Sequence, residues 1–231
     1  RFMAALKSSG VFHMEHIPTL DISPILDHFR SMENTELNMA DLARKLCWLL
    51  GVCAFLRPDD IGGIDVSQTI IQDTGILLTI VFPKERRDGQ RIIKKIPVRR
   101  HPTDKRLCPV EAYLEYTDRI KNNHMQSGHH KDASYKITPL IRFSKDLSRV
   151  LRVSSIGVYM SEITKKIRDL PSNKPPPKPR AIGSTLAAMA GVATQDIMVQ
   201  GNWSSPKVFE RHYRISSNTS SNFTSVVLGS L

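Results

Sequence analysis

Apolar positions recur at helical spacing in one long stretch of the chain. Over 39–56 (MADLARKLCWLLGVCAFL) they fall at Met39, Leu42, Ala43, Leu46, Leu49, Leu50 and Cys53, a stripe broad enough for a buried central helix. The helix is expected to stop at Arg57, because a residue before proline is pushed out of the helical region. After a turn through Gly62 and Gly63 the pattern changes. VSQTII (66–71), GILLTIVF (75–82) and RIIKKIPV (91–98) read as three antiparallel strands, with PKERRDGQ (83–90) as the loop joining the last two. Pro109 opens another helix, running to about residue 122, at a first-turn position where its missing N–H costs nothing. Residues 123–135 are polar and loop-like. Helix is expected near 154–170, an extended proline-rich connector over 172–179, and short helices over 181–191, 194–201 and 205–213. The pattern predicts a mainly α chain with a small antiparallel three-stranded β-sheet, an α+β fold.

Length and composition narrow the classes. At 231 residues the chain holds one substantial domain with terminal segments. No apolar run approaches the roughly 20 residues of a membrane span, and the N-terminal stretch lacks the features of a secretory signal. Membrane partners are therefore not expected. Cys47, Cys53 and Cys108 are scattered and odd in number, which points to a reducing compartment without a disulfide framework or zinc site. Cys47 and Cys53 sit in the apolar stretch, where a thiol acts as a small hydrophobe. His129 and His130 are adjacent but lack metal-ligand spacing, so no metal or other cofactor is expected.

Charge changes the picture. The net charge is +11, and ten Lys/Arg (84, 86, 87, 91, 94, 95, 99, 100, 105, 106) face three acids (85, 88, 104) between Lys84 and Arg106. Such a stretch favours a polyanion, because each neutralised phosphate releases counterions. Arg86, Arg87, Lys94 and Lys95 of this cluster, with Lys178 further on, are candidate contacts to a polyanion. A solvated basic hairpin is the plain alternative.

The order of four segments carries the chemistry. DLARKLCWLLGVCAFLRPDDIGGID ends a helix on Arg57, with Asp60 three residues on. IVFPKERRDGQRIIKKIPV carries Lys84 in a hairpin, and RLCPVEAYLEY opens the helix after it. KPRAIGSTLAAMAGVATQDIMVQGNWSSPKVFERHYR holds Arg180, Trp203 and Tyr213. Together these resemble the catalytic domain of tyrosine recombinases (phage integrase-like enzymes), especially the eukaryotic transposon branch of Crypton-type elements. The resemblance covers roughly 17–215. It leaves 1–16 as an N-terminal linker or helix remnant and 216–231 as a tail.

The resemblance implies an enzyme that breaks and rejoins DNA, in site-specific recombination or transposon integration and excision, through a 3′-phosphotyrosine and without metal or ATP. It implies Arg57 and Arg180 as the phosphate-gripping arginines, Lys84 as the proton donor, Trp203 as a pocket residue, Tyr213 as nucleophile and Asp60 as support. It further implies a dimer or tetramer on DNA and a nuclear location if the source is eukaryotic, otherwise an intracellular one. The residue types suit the task. Guanidiniums grip non-bridging oxygens bidentately at any working pH. A phenol forms a covalent ester that conserves the bond for rejoining. A lysine protonates the departing 5′ oxygen, and an indole donates one N–H.

Two features depart from the family pattern. Pro177 stands three residues before Arg180, where a histidine is usual, and Trp203 precedes Tyr213 by ten positions, one more than many bacterial members show. A domain retained for DNA binding after losing its chemistry is the alternative that Pro177 favours. A type IB topoisomerase would share the nucleophile but act without strand exchange. In the tail, apolar Phe223, Val226, Val227 and Leu228 follow a Ser/Asn-rich linker, and the tail is expected to be exchanged between protomers.

Overall fold

The computed structural model describes residues 20–168 and 175–203, apart from the side chains at 86 and 87. In chain order the elements are α1 (Ser23–Arg30), α2 (Met39–Cys53), α3 (Pro58–Gly62), β1 (Ile70–Gln72), β2 (Gly75–Arg87), β3 (Gln90–Arg99) and α4 (Pro109–Ile120). There follow β4 (Ser127–His129), β5 (Asp132–Ile137), β6 (Arg142–Phe143), β7 (Asp146–Val150), α5 (Val153–Thr164), α6 (Pro179–Met189) and α7 (Thr194–Gly201). The fold is mixed α+β. The first segment, the 205–213 helix, Tyr213 and the 216–231 tail lie outside the described residues.

Helix α2 is the spine. Asn38 caps it, accepting the Asp41 N–H at 3.0 Å, which satisfies one of the orphan donors at a helix start. Every residue from 45 to 51 is buried, so the stripe read in sequence widens into a helix covered on all sides. Helices α4, α5 and α6 cover it. Buried Lys45 is accommodated by donating to the Phe29 carbonyl at 3.4 Å. Two glycines let α6 approach closely. A Cβ on Gly183 would lie 2.7 Å from the Val52 carbonyl carbon, and one on Gly51 would lie 2.8 Å from Pro179 Cβ. That contact brings the start of α6 to the end of α2. Cys53, at that end, is exposed rather than buried as its apolar neighbours suggested.

The three-stranded antiparallel sheet is present in the order β1-β2-β3, but its details differ from the expectation. The first strand is only 70–72. Ahead of it, Asp65 draws Val66–Gln68 into a 3-10 turn by accepting from the Ser67 N–H at 3.0 Å and the Gln68 side chain at 2.8 Å. Such local bonds compete with a strand ladder. The 83–90 segment is mostly strand, not loop. Arg86 pairs with Arg91 and Arg87 with Gln90, and the turn is Asp88-Gly89 with φ of 48° and 75°. Positive φ at both central residues fits the twist of a two-residue hairpin.

Residues 123–135, expected as loop, contain β4 and the start of β5, and β6 pairs with β7 beyond them. Packing explains the β4–β5 hairpin. His129 and Tyr135 set their rings edge-on to Phe82 at 5.2 and 4.9 Å, and the Lys131 ammonium donates to the Phe82 carbonyl at 2.7 Å. A polar stretch thereby gains tertiary partners that its own pattern does not announce. Helix α1 was likewise unforeseen; its start is fixed by Asp21 accepting the Ser23 N–H at 2.8 Å, and it buries Ile25 and Phe29 one turn apart. Helix α5 stops at Thr164, short of residue 170.

Candidate functional site

The site forms where α2 ends. Leaving the helix, the chain turns sharply at Phe55, which holds φ of 53°, a conformation costly for a residue with a bulky side chain. It then extends through Arg57 into the short helix α3. Asp60 closes that entry, its Oδ2 accepting the Arg57 backbone N–H at 2.9 Å. The same Oδ2 lies 3.9 Å from Nη1 of Arg180, which enters on the first turn of α6. Burial raises the Asp60 carboxyl above its ordinary range, against the pull of the Arg57 N–H and the two arginine charges.

Arg180 is buried and held by backbone. Its Nη1 donates to the Phe55 carbonyl at 2.9 Å and its Nη2 donates to the Gly201 carbonyl. Its guanidinium lies over the Trp203 ring at 4.5 Å, a cation–π contact strengthened by burial. Trp203 reaches that place because α7 ends on Asn202 in the left-handed region (φ 53°), with the Trp203 N–H returning to the Met198 carbonyl at 3.0 Å. Phe55 completes the stack, its ring centroid 5.9 Å from that of Trp203.

The sheet supplies the remaining charges. Glu85 of β2 accepts a 2.6 Å bond from Nη1 of Arg57. Burial by itself would raise its carboxyl, but the bonded Arg57 outweighs that and holds it below its usual range. Lys94 of β3 lines the same small cavity, of about 10 Å³, as Asp60, Glu85 and Arg180. Burial pushes its ammonium below the ordinary lysine value, and it senses Glu85, Arg180, Asp60 and Arg57.

The fold thus brings together Arg57, Asp60, Arg180 and Trp203 from the sequence-derived set. Lys84 is exposed on β2, while Lys94, assigned from sequence to phosphate contact, lines the same cavity as Arg180. A signal for this existed. Ile92, Lys94, Ile96 and Val98 alternate onto the more buried face of β3, so a lysine stands in a register otherwise kept for apolar residues. Glu85 was not anticipated. Lys95 and Lys178 are exposed, as phosphate contacts would be, and Arg86 and Arg87 lie on β2 near its turn. Pro177 lies beside Arg57 and Arg180 on a groove of about 770 Å³, and offers no proton-exchanging group there.

Other tyrosines are engaged elsewhere. Tyr113 and Tyr116 are buried in the core, and Tyr159 carries the Arg44 guanidinium 4.6 Å from its ring centroid. Among the described residues, no cluster of three or more His, Cys, Asp and Glu could hold a metal ion, and no helix is long and apolar enough to cross a membrane.

No known family model and no curated protein matches the sequence. Solved structures do show likeness. An Flp recombinase–Holliday junction complex shares 16% identity at a TM-score of 0.49, covering 94% of this chain and 50% of that one. A lambda integrase tetramer bound to a Holliday junction shares 13% identity at a TM-score of 0.49, covering 95% of this chain and 58% of that one. An Flpe–Holliday junction complex shares 16% identity at a TM-score of 0.47, with 97% and 53% covered. The chain therefore spans about half the length of the chains it matches.

Proposed function

We propose that this chain is a tyrosine recombinase that cuts and rejoins double-stranded DNA through a 3′-phosphotyrosine on Tyr213, with neither metal nor ATP. The observation that carries the reading is the meeting of the Arg57 backbone and the Arg180 guanidinium at one buried carboxylate, Asp60, with Trp203 stacked on Arg180 and Lys94 lining the same cavity as Arg180 and Asp60. In this reading the Tyr213 hydroxyl gives up its proton to solvent, its oxygen attacks phosphorus in line and the bond to the 5′ oxygen breaks. The two guanidiniums hold the non-bridging oxygens as their charge grows. Lys94, whose burial makes it a stronger acid than a solvated lysine, protonates the leaving 5′ oxygen. Return attack by a 5′ hydroxyl rejoins the strand and frees the tyrosine. The basic β2–β3 hairpin tracks the DNA backbone, and the protein assembles as a dimer or tetramer on its target. The sequence resemblance extends the reading to Crypton-type transposon integration and excision in a nucleus.

The test is incubation with nicked suicide DNA, which traps the cut strand on the protein. A denaturant-stable adduct that disappears in Tyr213→Phe while DNA affinity is kept supports the reading. An adduct that survives in that variant, or maps to Tyr159, overturns the nucleophile.

Pro177 favours a second reading, a domain that binds DNA without cutting it. That reading requires DNA binding with no adduct even at long incubation.

A further inference from the structure

Three features converge on Glu85. First, its carboxylate sits 2.6 Å from Nη1 of Arg57, where an oxygen of a gripped phosphate would sit. Second, the pair is not sealed in: the two side chains are 22% and 21% exposed, so solvent and a ligand can reach them. Third, Glu85 lies on the irregular part of its strand. The pairing of β2 with β3 is interrupted between Val81 and Arg86, Phe82 holds φ of 48°, and Pro83 has no N–H to give a ladder. Moving Glu85 aside therefore breaks no cross-strand register.

Charge points the same way. Among the described residues, the centre with Glu85 in place holds three cations (Arg57, Lys94, Arg180) against two carboxylates (Asp60, Glu85), a net single positive charge if all are ionised. With Glu85 withdrawn the surplus is two. A phosphodiester attacked by a phenolate passes through a doubly negative state, which the second arrangement matches and the first does not. Asp60 cannot play this part, because it is buried and bonded to the Arg57 backbone.

We infer that Glu85 is a placeholder for the scissile phosphate: its carboxylate occupies the anion seat of Arg57 and leaves when a DNA phosphate enters. The inference rests on the reading of Arg57 as a phosphate-gripping residue. The exchange makes and breaks only ion pairs. It keeps a pair of like guanidiniums compensated in the absence of DNA and sets a threshold against weakly held anions, because any newcomer must first displace Glu85.

The experiment titrates inorganic phosphate against the 231-residue chain and follows the arginine side-chain N–H resonances. Glu85→Gln, which keeps the shape and removes the charge, is expected to bind phosphate about 2- to 5-fold more tightly than the unmodified chain, the scale of a partly exposed ion pair. The gain is expected to vanish in Glu85→Gln combined with Arg57→Ala. Equal or weaker binding by Glu85→Gln, with the unmodified chain still binding, overturns the placeholder but leaves the phosphate site standing. A gain that persists without Arg57 also overturns it, as mere loss of a negative charge. No binding by any form overturns both. Should Glu85→Gln fail to fold, Glu85→Asp shortens the reach by one methylene. It is expected to give a smaller gain, and no gain in that variant counts against the placeholder equally.

Discussion

The carbonyl of Phe55 accepts a 2.9 Å hydrogen bond from Nη1 of Arg180 across 125 positions of sequence. Phe55 lies in the turn after α2 and Arg180 on the first turn of α6, so this bond ties the two arginine-bearing segments together. The guanidinium is thus a structural clamp as well as a charge.

Arg180→Ala should therefore cost stability, not only activity. Removing a buried cation that is bonded to two carbonyls and beside Asp60 strips those carbonyls of a donor and the carboxylate of one of its two arginine charges. A loss of about 3 kcal/mol is expected in urea unfolding. Arg180→Lys keeps the charge but not the fork, and should recover only part of it. A fully stable alanine variant would mean that the clamp carries no weight.

Lys94→Ala should slow DNA cleavage by roughly 10²–10⁴-fold, the range of general acid assistance. Replacing the bridging 5′ oxygen with sulfur gives a leaving group that needs little protonation, so the variant should regain most of its rate on that DNA. Lys84→Ala should cut ordinary DNA at near the normal rate. Rescue confined to the Lys84 variant would return the proton donor to β2.

Gly183→Ala should separate α6 from α2, because the added Cβ meets the Val52 carbonyl. Overpacking of this kind costs about 1–3 kcal/mol. Since Arg180 rides on the same turn, cleavage should fall further than the stability loss alone predicts. Thermal melting and single-turnover cleavage, measured on the same preparation, separate the two effects.

Acidification should weaken the fold through His129. Burial first, then the neighbouring His130 and Lys131, hold its ring to about 4, below the ordinary imidazole value. The unfolded chain therefore binds a proton between pH 6.5 and 4 that the folded chain refuses, and stability falls as pH drops through that window. The loss from pH 7 to pH 5 should be on the order of 1 kcal/mol. His129→Gln should flatten the dependence, and an equally steep profile in that variant would assign the effect elsewhere.

Much of this arrangement was legible in sequence, because it follows from local rules. The stripe from Met39 to Cys53 marked the central helix, and Arg57-Pro58 marked where it must stop. Arg57, Asp60, Arg180 and Trp203 were named not by local rules but by the resemblance of their segments to a known family. What escaped depends on partners distant in sequence. The β4–β5 hairpin packs its rings on Phe82, and Glu85 meets Arg57 from a stretch where the β2–β3 pairing is interrupted. Other signals were local but overlooked. Asp88-Gly89 is a strong two-residue hairpin signature, and the alternation of Ile92, Lys94, Ile96 and Val98 already turned the lysine toward the interior.

The bond from Arg180 to the Gly201 carbonyl has a consequence for biosynthesis. A chain emerging from the ribosome has made Arg57 and the whole β-sheet long before residue 201 is available. Until then α7 cannot close over the guanidinium, and Trp203 cannot lie against it. Products that stop before residue 201 therefore carry the basic hairpin without the assembled charge centre. Such fragments retain whatever nonspecific attraction the hairpin has for polyanions, but not the geometry at the end of α2. Completion of the centre is tied to synthesis having passed residue 203.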